Sequence, residues 1–231
     1  MVIKGLQKTT LLDFPGKLAC TIFTAGCNFR CPFCHNSSLV VRPGEVDEIP
    51  VESFLSYISK RKGLLDGVAI TGGEPLLNPD INELMRKIRA EGLLIKLDTN
   101  GAYPDRLEAL IDEGLVDYVA MDIKNTKSKY ALTAGLDESF DISLIERSID
   151  IIMKKAPDYE FRTTVVRELH NVEDLVEISG WITDAKNYFL QKYVDSGDIL
   201  LEGFSAYSDG EMLEILDLVR KKMPQTILRG V

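Results

Sequence analysis

Cys27, Cys31 and Cys34 stand in the pattern C-x3-C-x2-C on a stretch that also holds Gly26, Asn28 and Pro32. Three soft thiolates on one short loop can surround a single inorganic centre. An iron–sulfur cluster is usually held by four cysteines, so three protein ligands leave one iron open to a non-protein ligand, and that open iron is where chemistry would occur. Structural zinc is the competing reading; it closes four positions and would have to recruit His35 or Cys20. Cys20 lies in the apolar run LACTIFT, where a cysteine is ordinarily a small buried hydrophobe, so it is placed outside the site. With three of the 4 cysteines crowded into residues 27–34, a disulfide framework spread over the chain is a poor fit, and reduced thiols suit the cytosol.

Further polar groups sit just after apolar runs: Thr71-Gly72-Gly73-Glu74-Pro75, Asp98-Thr99-Asn100-Gly101 and Asp122-Ile123-Lys124. Glycines admit a close backbone approach, by a ligand or simply in a turn. Arg162 lies among apolar residues in YEFRTTVV, where an unpaired charge would be expensive, so a carboxylate partner is expected, with Glu74 and Asp122 as candidates.

The elements that carry these groups alternate. Short β-rich apolar runs are separated by amphipathic stretches at helical spacing, in roughly six units, the signature of an α/β fold with a parallel sheet and helical crossovers. Expected strands are LACTIFT, GVAITGG, LLIKLDTNG, DYVAMDIKN, YEFRTTVV, NYFLQKY and DILLEGF, with TILRG as an edge strand or tail. Expected helices cover 51–61, 79–90 with Pro79 in the first turn, 104–113, 141–155, a stretch capped by Asn171, and 209–222. In α/β barrels functional groups gather at the C-terminal ends of the strands, so motifs distant in sequence can line one site. No linker-like segment divides residues 1–231, which read as one domain.

Composition narrows the class. The chain has 231 residues, 45% hydrophobic and 27% charged, and a net charge of −9, which opposes non-specific binding to a phosphate backbone. No apolar run reaches transmembrane length and the opening lacks a signal-peptide pattern, so a cytoplasmic protein with neither a nucleic-acid nor a membrane partner is expected.

C-x3-C-x2-C with Phe33 before the last cysteine, followed by the Gly-Gly-Glu strand end, is similar to the radical S-adenosylmethionine superfamily. The opening GLQKTTLLDFPGKLACTIFTAGCNFRCPFCHN resembles the activating proteins of anaerobic ribonucleoside-triphosphate reductase, and the likeness continues through DTNG, MDIKN and RTTVV. The resemblance implies a partial (β/α)6 TIM-like barrel. It also implies a [4Fe–4S] cluster on Cys27, Cys31 and Cys34, with S-adenosylmethionine chelated to the fourth iron. One-electron reductive cleavage would yield a 5′-deoxyadenosyl radical that takes a hydrogen atom from a glycine Cα of a glycyl-radical enzyme, with flavodoxin or ferredoxin as the electron donor. The cofactor carries that chemistry, and no protein side chain need be a catalytic acid or base.

By the same resemblance, cofactor contacts fall on Phe33, Cys34, His35, Gly72, Gly73, Glu74, Asp98, Asn100, Asp122, Lys124 and Arg162, the carboxylate facing the last being either that of the methionine or that of Glu74 or Asp122. Asp98, Thr99 and Asp122 are implied as ligands of a monovalent cation, for which oxygen donors are suited. The adenine-side histidine of the pyruvate formate-lyase activating enzyme has no counterpart in GFSAYSD, leaving Tyr207 or Phe204 as stacking candidates. His170 reads as a loop residue ahead of the Asn171 cap. A small-molecule radical enzyme, such as one resembling 7-carboxy-7-deazaguanine synthase acting on a pterin, is the alternative.

Overall fold

The computed structural model describes residues 2–231. Among the described residues eight strands form one sheet whose spatial order is the chain order: β1 (Ile3–Thr10), β2 (Ala19–Thr24), β3 (Gly67–Gly72), β4 (Leu94–Thr99), β5 (Tyr118–Asp122), β6 (Tyr159–Val165), β7 (Tyr188–Lys192) and β8 (Thr226–Arg229). β1 lies antiparallel to β2, and every later pairing is parallel. The crossovers carry α1 (Ser37–Val41) and α2 (Val51–Ser59), then α3 (Ile81–Ala90), α4 (Pro104–Asp112), α5 (Tyr130–Ala134) and α6 (Ser143–Lys155), then α7 (Val172–Trp181) and α8 (Asp209–Arg220). Strands β2 to β7, each followed by helix, are the six units expected of a partial barrel, with β8 added at the end.

Register determines what each face presents, because neighbours in parallel strands share a face and successive residues alternate. Cys20, Val68 and Ile95 lie abreast, fully buried, under the helices. Helix α3 covers this face with Ile81, Leu84, Met85 and Ile88, and α4 with Leu107, Leu110 and Ile111. The opposite face carries Thr21, Ala69, Lys96 and Tyr118 abreast, then Asp122 beside Arg162 further along the sheet. It is polar toward the strand C-termini and closed toward the N-termini by a small apolar cluster of Phe14, Ala19, Tyr118 and Ala120. Phe14 comes from the LLDFPG segment, so that part of the opening supplies the floor of the barrel.

The Asn171 cap is present as a reciprocal box. Asp174 N donates to Asn171 Oδ1 at 2.8 Å and Asn171 N donates to Asp174 Oδ2 at 2.9 Å. Three expectations change. β1 is an additional strand that the apolar pattern does not signal, because IKGLQKTT is mostly polar and pairs along a single edge. DILLEGF is not a strand; it runs irregularly, with Leu201 60% exposed. Pro79 precedes α3 rather than entering its first turn, and a 3-10 turn at Pro75–Leu77 lies ahead of it. Among the described residues no helix is long and apolar enough to cross a membrane.

Candidate active site

The cysteine loop leaves β2 through Gly26, which holds φ +79°. Its base is pinned to the end of β3: Gly73 N donates to Thr24 O at 3.0 Å and Glu74 N to Gly26 O at 2.8 Å. A Cβ on Gly73 would fall 1.9 Å from Gly26 O, and one on Gly72 would fall 2.3 Å from Thr24 N. The two glycines are therefore required by backbone meeting backbone, before any ligand is considered.

Other strand ends hold the loop from further sides. Asn100, after β4, donates through Nδ2 to Asn28 Oδ1 at 2.8 Å and to Cys27 Sγ at 3.7 Å. Arg30 N donates to Ala134 O at 3.0 Å, against α5. Phe29 packs edge-on to Phe140 with centroids 5.8 Å apart, a burial that contributes about 1.5–3 kcal/mol. From the far end of the chain Leu201 N donates to Pro32 O at 2.9 Å, and Asp198 accepts from Ser37 Oγ at 2.6 Å and Ser38 Oγ at 2.7 Å.

The three cysteines, Phe33 and His35 line one cavity of about 250 Å³ at the strand C-termini. Gly72, Gly73, Asp98, Thr99, Asn100, Asp122, Lys124 and Arg162 line it too. Glu74, alone of the eleven contacts implied by the resemblance, does not. It is 1% exposed and ties β3 to β4, accepting from Leu76 N at 2.9 Å, Thr99 Oγ1 at 2.9 Å and Asn100 N at 2.7 Å. Burial, partly offset by these donors, pushes its carboxyl up to about 7. Tyr207 and Phe204 do not line the cavity; Tyr207 Oη instead donates to His170 O at 2.7 Å. His35 lies against Tyr193, rings stacked at 5.5 Å, and burial lowers its pKa. Cys20, on the helix-facing side, is separated from the other three thiols by the sheet itself.

Charge in the cavity forms a chain across three strands. Arg162 donates through Nε to Asp122 Oδ1 at 2.9 Å and through an Nη to Asp98 Oδ2 at 3.2 Å. Lys124 Nζ donates to Asp122 Oδ2 at 2.9 Å, and Lys96 Nζ to Asp98 Oδ1. Burial alone would raise Asp122 and Asp98, but the cations outweigh it and hold both carboxyls below their usual range. Of the partners expected for Arg162, Asp122 is found and Glu74 is not. His170, 1% exposed, stands behind this chain: Nε2 lies 2.8 Å from Lys124 O, and Nδ1 accepts from Val166 N at 3.2 Å. The sequence alone assigns no role to Lys96, nor to the cavity-lining Asn36, which follows His35 in the motif, Thr164 and Gln191. Gln191, a polar residue inside an apolar strand run, was the available signal.

The donor set suits an iron–sulfur centre. Burial pushes the Cys31 thiol up to about 12 and Cys27 up to about 11, so as bare thiols they stay neutral, and a cationic iron centre is what would make thiolates affordable there. Among the described residues no three of His, Cys, Asp or Glu converge on a single-ion position; the cysteines frame a space instead.

Comparison with known proteins agrees with this geometry. The Radical SAM superfamily profile matches residues 21–178. A candidate glycyl-radical enzyme activating enzyme of Methanocaldococcus jannaschii is 29% identical over 235 residues, covering 100% of this chain and 96% of that protein. The 7-carboxy-7-deazaguanine synthase of Methanopyrus kandleri is 35% identical over 130 residues, covering 48% of this chain and 51% of the synthase. Among solved structures, Streptococcus suis SuiB bound to its precursor peptide SuiA superposes with TM-score 0.70 at 15% identity, over 91% of this chain and 48% of SuiB, a likeness of fold. Three cysteines on the loop after the first parallel strand, set over a polar cavity in a matching barrel, place the chain in the radical S-adenosylmethionine superfamily.

Proposed function

We propose that this radical S-adenosylmethionine enzyme is an activase that installs a glycyl radical on a partner enzyme, with anaerobic ribonucleoside-triphosphate reductase as the partner. The observation that carries the activase reading is the end-to-end similarity to a candidate activating enzyme. The choice of partner rests on the resemblance of the opening, residues 5–36, and flavodoxin or ferredoxin is the proposed electron donor. Family membership implies a [4Fe–4S] cluster and S-adenosylmethionine. When bound, they supply reductive cleavage of the sulfonium and hence hydrogen-atom abstraction.

The chain's own residues position and exclude. Cys27, Cys31 and Cys34 would hold the cluster, and Asn100 Nδ2, 3.7 Å from Cys27 Sγ, donates toward a ligating sulfur, a contact of the kind that tunes cluster potential. Lys124 and Arg162 would present positive charge to the cofactor carboxylate, each already oriented by Asp122. Phe33 and His35 would offer ring faces to the nucleoside side of the cavity.

The test is anaerobic reconstitution with iron and sulfide, reduction, and measurement of 5′-deoxyadenosine, followed by electron paramagnetic resonance of a purified anaerobic reductase incubated with the reduced enzyme. A glycyl-radical doublet on the reductase is the expected result. The match to a deazaguanine synthase motivates a second reading, a small-molecule reaction on a pterin. Pterin consumption with no radical on the reductase would favour it.

A further inference from the structure

Lys96 is a buried cation that none of the cofactor assignments uses. It stands two residues before Asp98 on β4, so the two side chains share the inner face, and its side chain is only 3% exposed. Its ammonium is hydrogen-bonded to Asp98 Oδ1, while Asp98 Oδ2 accepts from Arg162, and the two oxygens of Asp122 accept from Arg162 and Lys124. All four oxygens of Asp98 and Asp122 thus already face a cationic donor, and Arg162 also lies 4.0 Å from the buried Glu160, which is itself paired with Arg229, so four cations serve three carboxylates.

The monovalent cation implied by resemblance would need these same oxygens. Its third ligand, Thr99, is turned elsewhere: the hydroxyl donates to Glu74 Oε1 at 2.9 Å and accepts from Gly101 N at 3.1 Å. A metal ion entering here would have to displace an ammonium or guanidinium and then sit beside the remaining positive charges, which Coulomb repulsion opposes. The residues present do not fit a bound sodium or potassium ion.

We propose that the Lys96 ammonium takes the place of that cation. A lysine head group is a compact, rotatable point charge with three donors, so it can neutralise Asp98 as an ion would while remaining tethered to β4. Lys96 is a positioning residue in this scheme. It fixes Asp98, Asp98 fixes the Arg162 guanidinium, and Arg162 meets the cofactor without help from salt. The inference rests on the reading of this cavity as the S-adenosylmethionine site.

The experiment is anaerobic calorimetric titration of S-adenosylmethionine into the reconstituted holoenzyme, in chloride salts of potassium, sodium and N-methylglucamine at matched ionic strength. Wild type, Lys96→Met and Lys96→Ala are compared. Wild-type affinity is expected to vary less than about twofold among the salts, while Lys96→Ala loses about tenfold in N-methylglucamine and recovers most of it in potassium. Recovery by a small cation is a readout that general structural damage would not produce. A wild-type affinity that rises about fivefold or more with potassium, or a Lys96→Ala protein indifferent to the salt, would overturn the proposal. If Lys96→Ala does not fold, the wild-type series and Lys96→Met, which keeps the apolar stem, decide the question. If the wild type binds no S-adenosylmethionine in any salt, the cofactor reading fails. The cation inference is then decided by melting temperatures of the apo proteins, where potassium should stabilise Lys96→Ala and leave the wild type unchanged.

Discussion

Gly73→Ala isolates the junction between the cysteine loop and the sheet. The new methyl would lie 1.9 Å from Gly26 O and 2.6 Å from Gly26 C. Carbon atoms do not approach a carbonyl oxygen closer than about 3 Å, so the loop base must retreat by more than about 1 Å, as in other overpacked sites that cost about 1–3 kcal/mol. The retreat also breaks the 2.8 Å hydrogen bond from Glu74 N to Gly26 O, at roughly 1 kcal/mol. Together these give an expected loss of about 2–4 kcal/mol in urea unfolding of the apo protein, with reduced iron and sulfide content after anaerobic reconstitution. Gly180→Ala is the internal control. Nothing beyond its own helix backbone lies within 4 Å of where the methyl would sit, and the position is inside α7, so a gain of about 0.5–1 kcal/mol is expected there. A Gly73→Ala protein within about 0.5 kcal/mol of wild type and fully loaded with iron would refute the claim that these glycines exist to let two backbones meet.

Cys31→Ala should abolish cluster assembly, measured by iron content and visible absorbance, whereas Cys20→Ala should keep it and lose only packing, about 1 kcal/mol in unfolding experiments; equal cluster loss in both would contradict the separation of Cys20 by the sheet. Because cations outnumber carboxylates in this network, Asp122→Asn should cost more stability than Arg162→Met, about 2–3 against about 1–2 kcal/mol, since the arginine variant leaves Asp98 and Asp122 one lysine each and Glu160 its Arg229. The reverse order in urea titrations would mean that the network is not charge-limited. His170 has its pKa lowered by burial, so the unfolded chain takes up a proton near 6.5 that the folded chain refuses. Its contribution is therefore complete above about pH 6.5 and lost as pH falls below it, and His170→Gln should flatten that part of the stability–pH curve. An unchanged acid slope would count against a neutral His170 holding Lys124 O.

The helix-facing side of the sheet was readable because a buried apolar face leaves its period in the sequence; Cys20, Val68 and Ile95 announce it. The groups at the strand ends were readable as motifs, and all but Glu74 of those come to one cavity, whereas the stacking candidates Tyr207 and Phe204 do not. Glu74 departs because three donors bind it away from the cavity, Leu76 N in the turn after β3, and Thr99 Oγ1 and Asn100 N at the end of β4. The inner face is harder. Polar residues that alternate along a strand look the same whether they face bulk water or the inside of a barrel, so the sequence alone assigns no role to Lys96 in LLIKLDTNG, and Gln191 in NYFLQKY stands out only as a polar residue within an apolar run. β1 and DILLEGF mark the opposite error, one polar stretch that pairs by its backbone and one apolar stretch that does not pair.

Strand order that repeats chain order has a consequence for how the molecule comes into being. Each strand's partners are its predecessor and successor, so the sheet can grow by accretion, and a nascent chain of any length already holds a contiguous piece of the finished barrel. The clasp of Asp198 on Ser37 and Ser38, whose partners stand 161 and 160 positions apart, is of another kind. It joins the beginning of the barrel to its end, so the loop that would hold the metal emerges first and is secured among the last. A ribosome-bound intermediate lacking the final segments would present the three thiols on a loop still open on one side, the interval in which iron delivery meets the least obstruction.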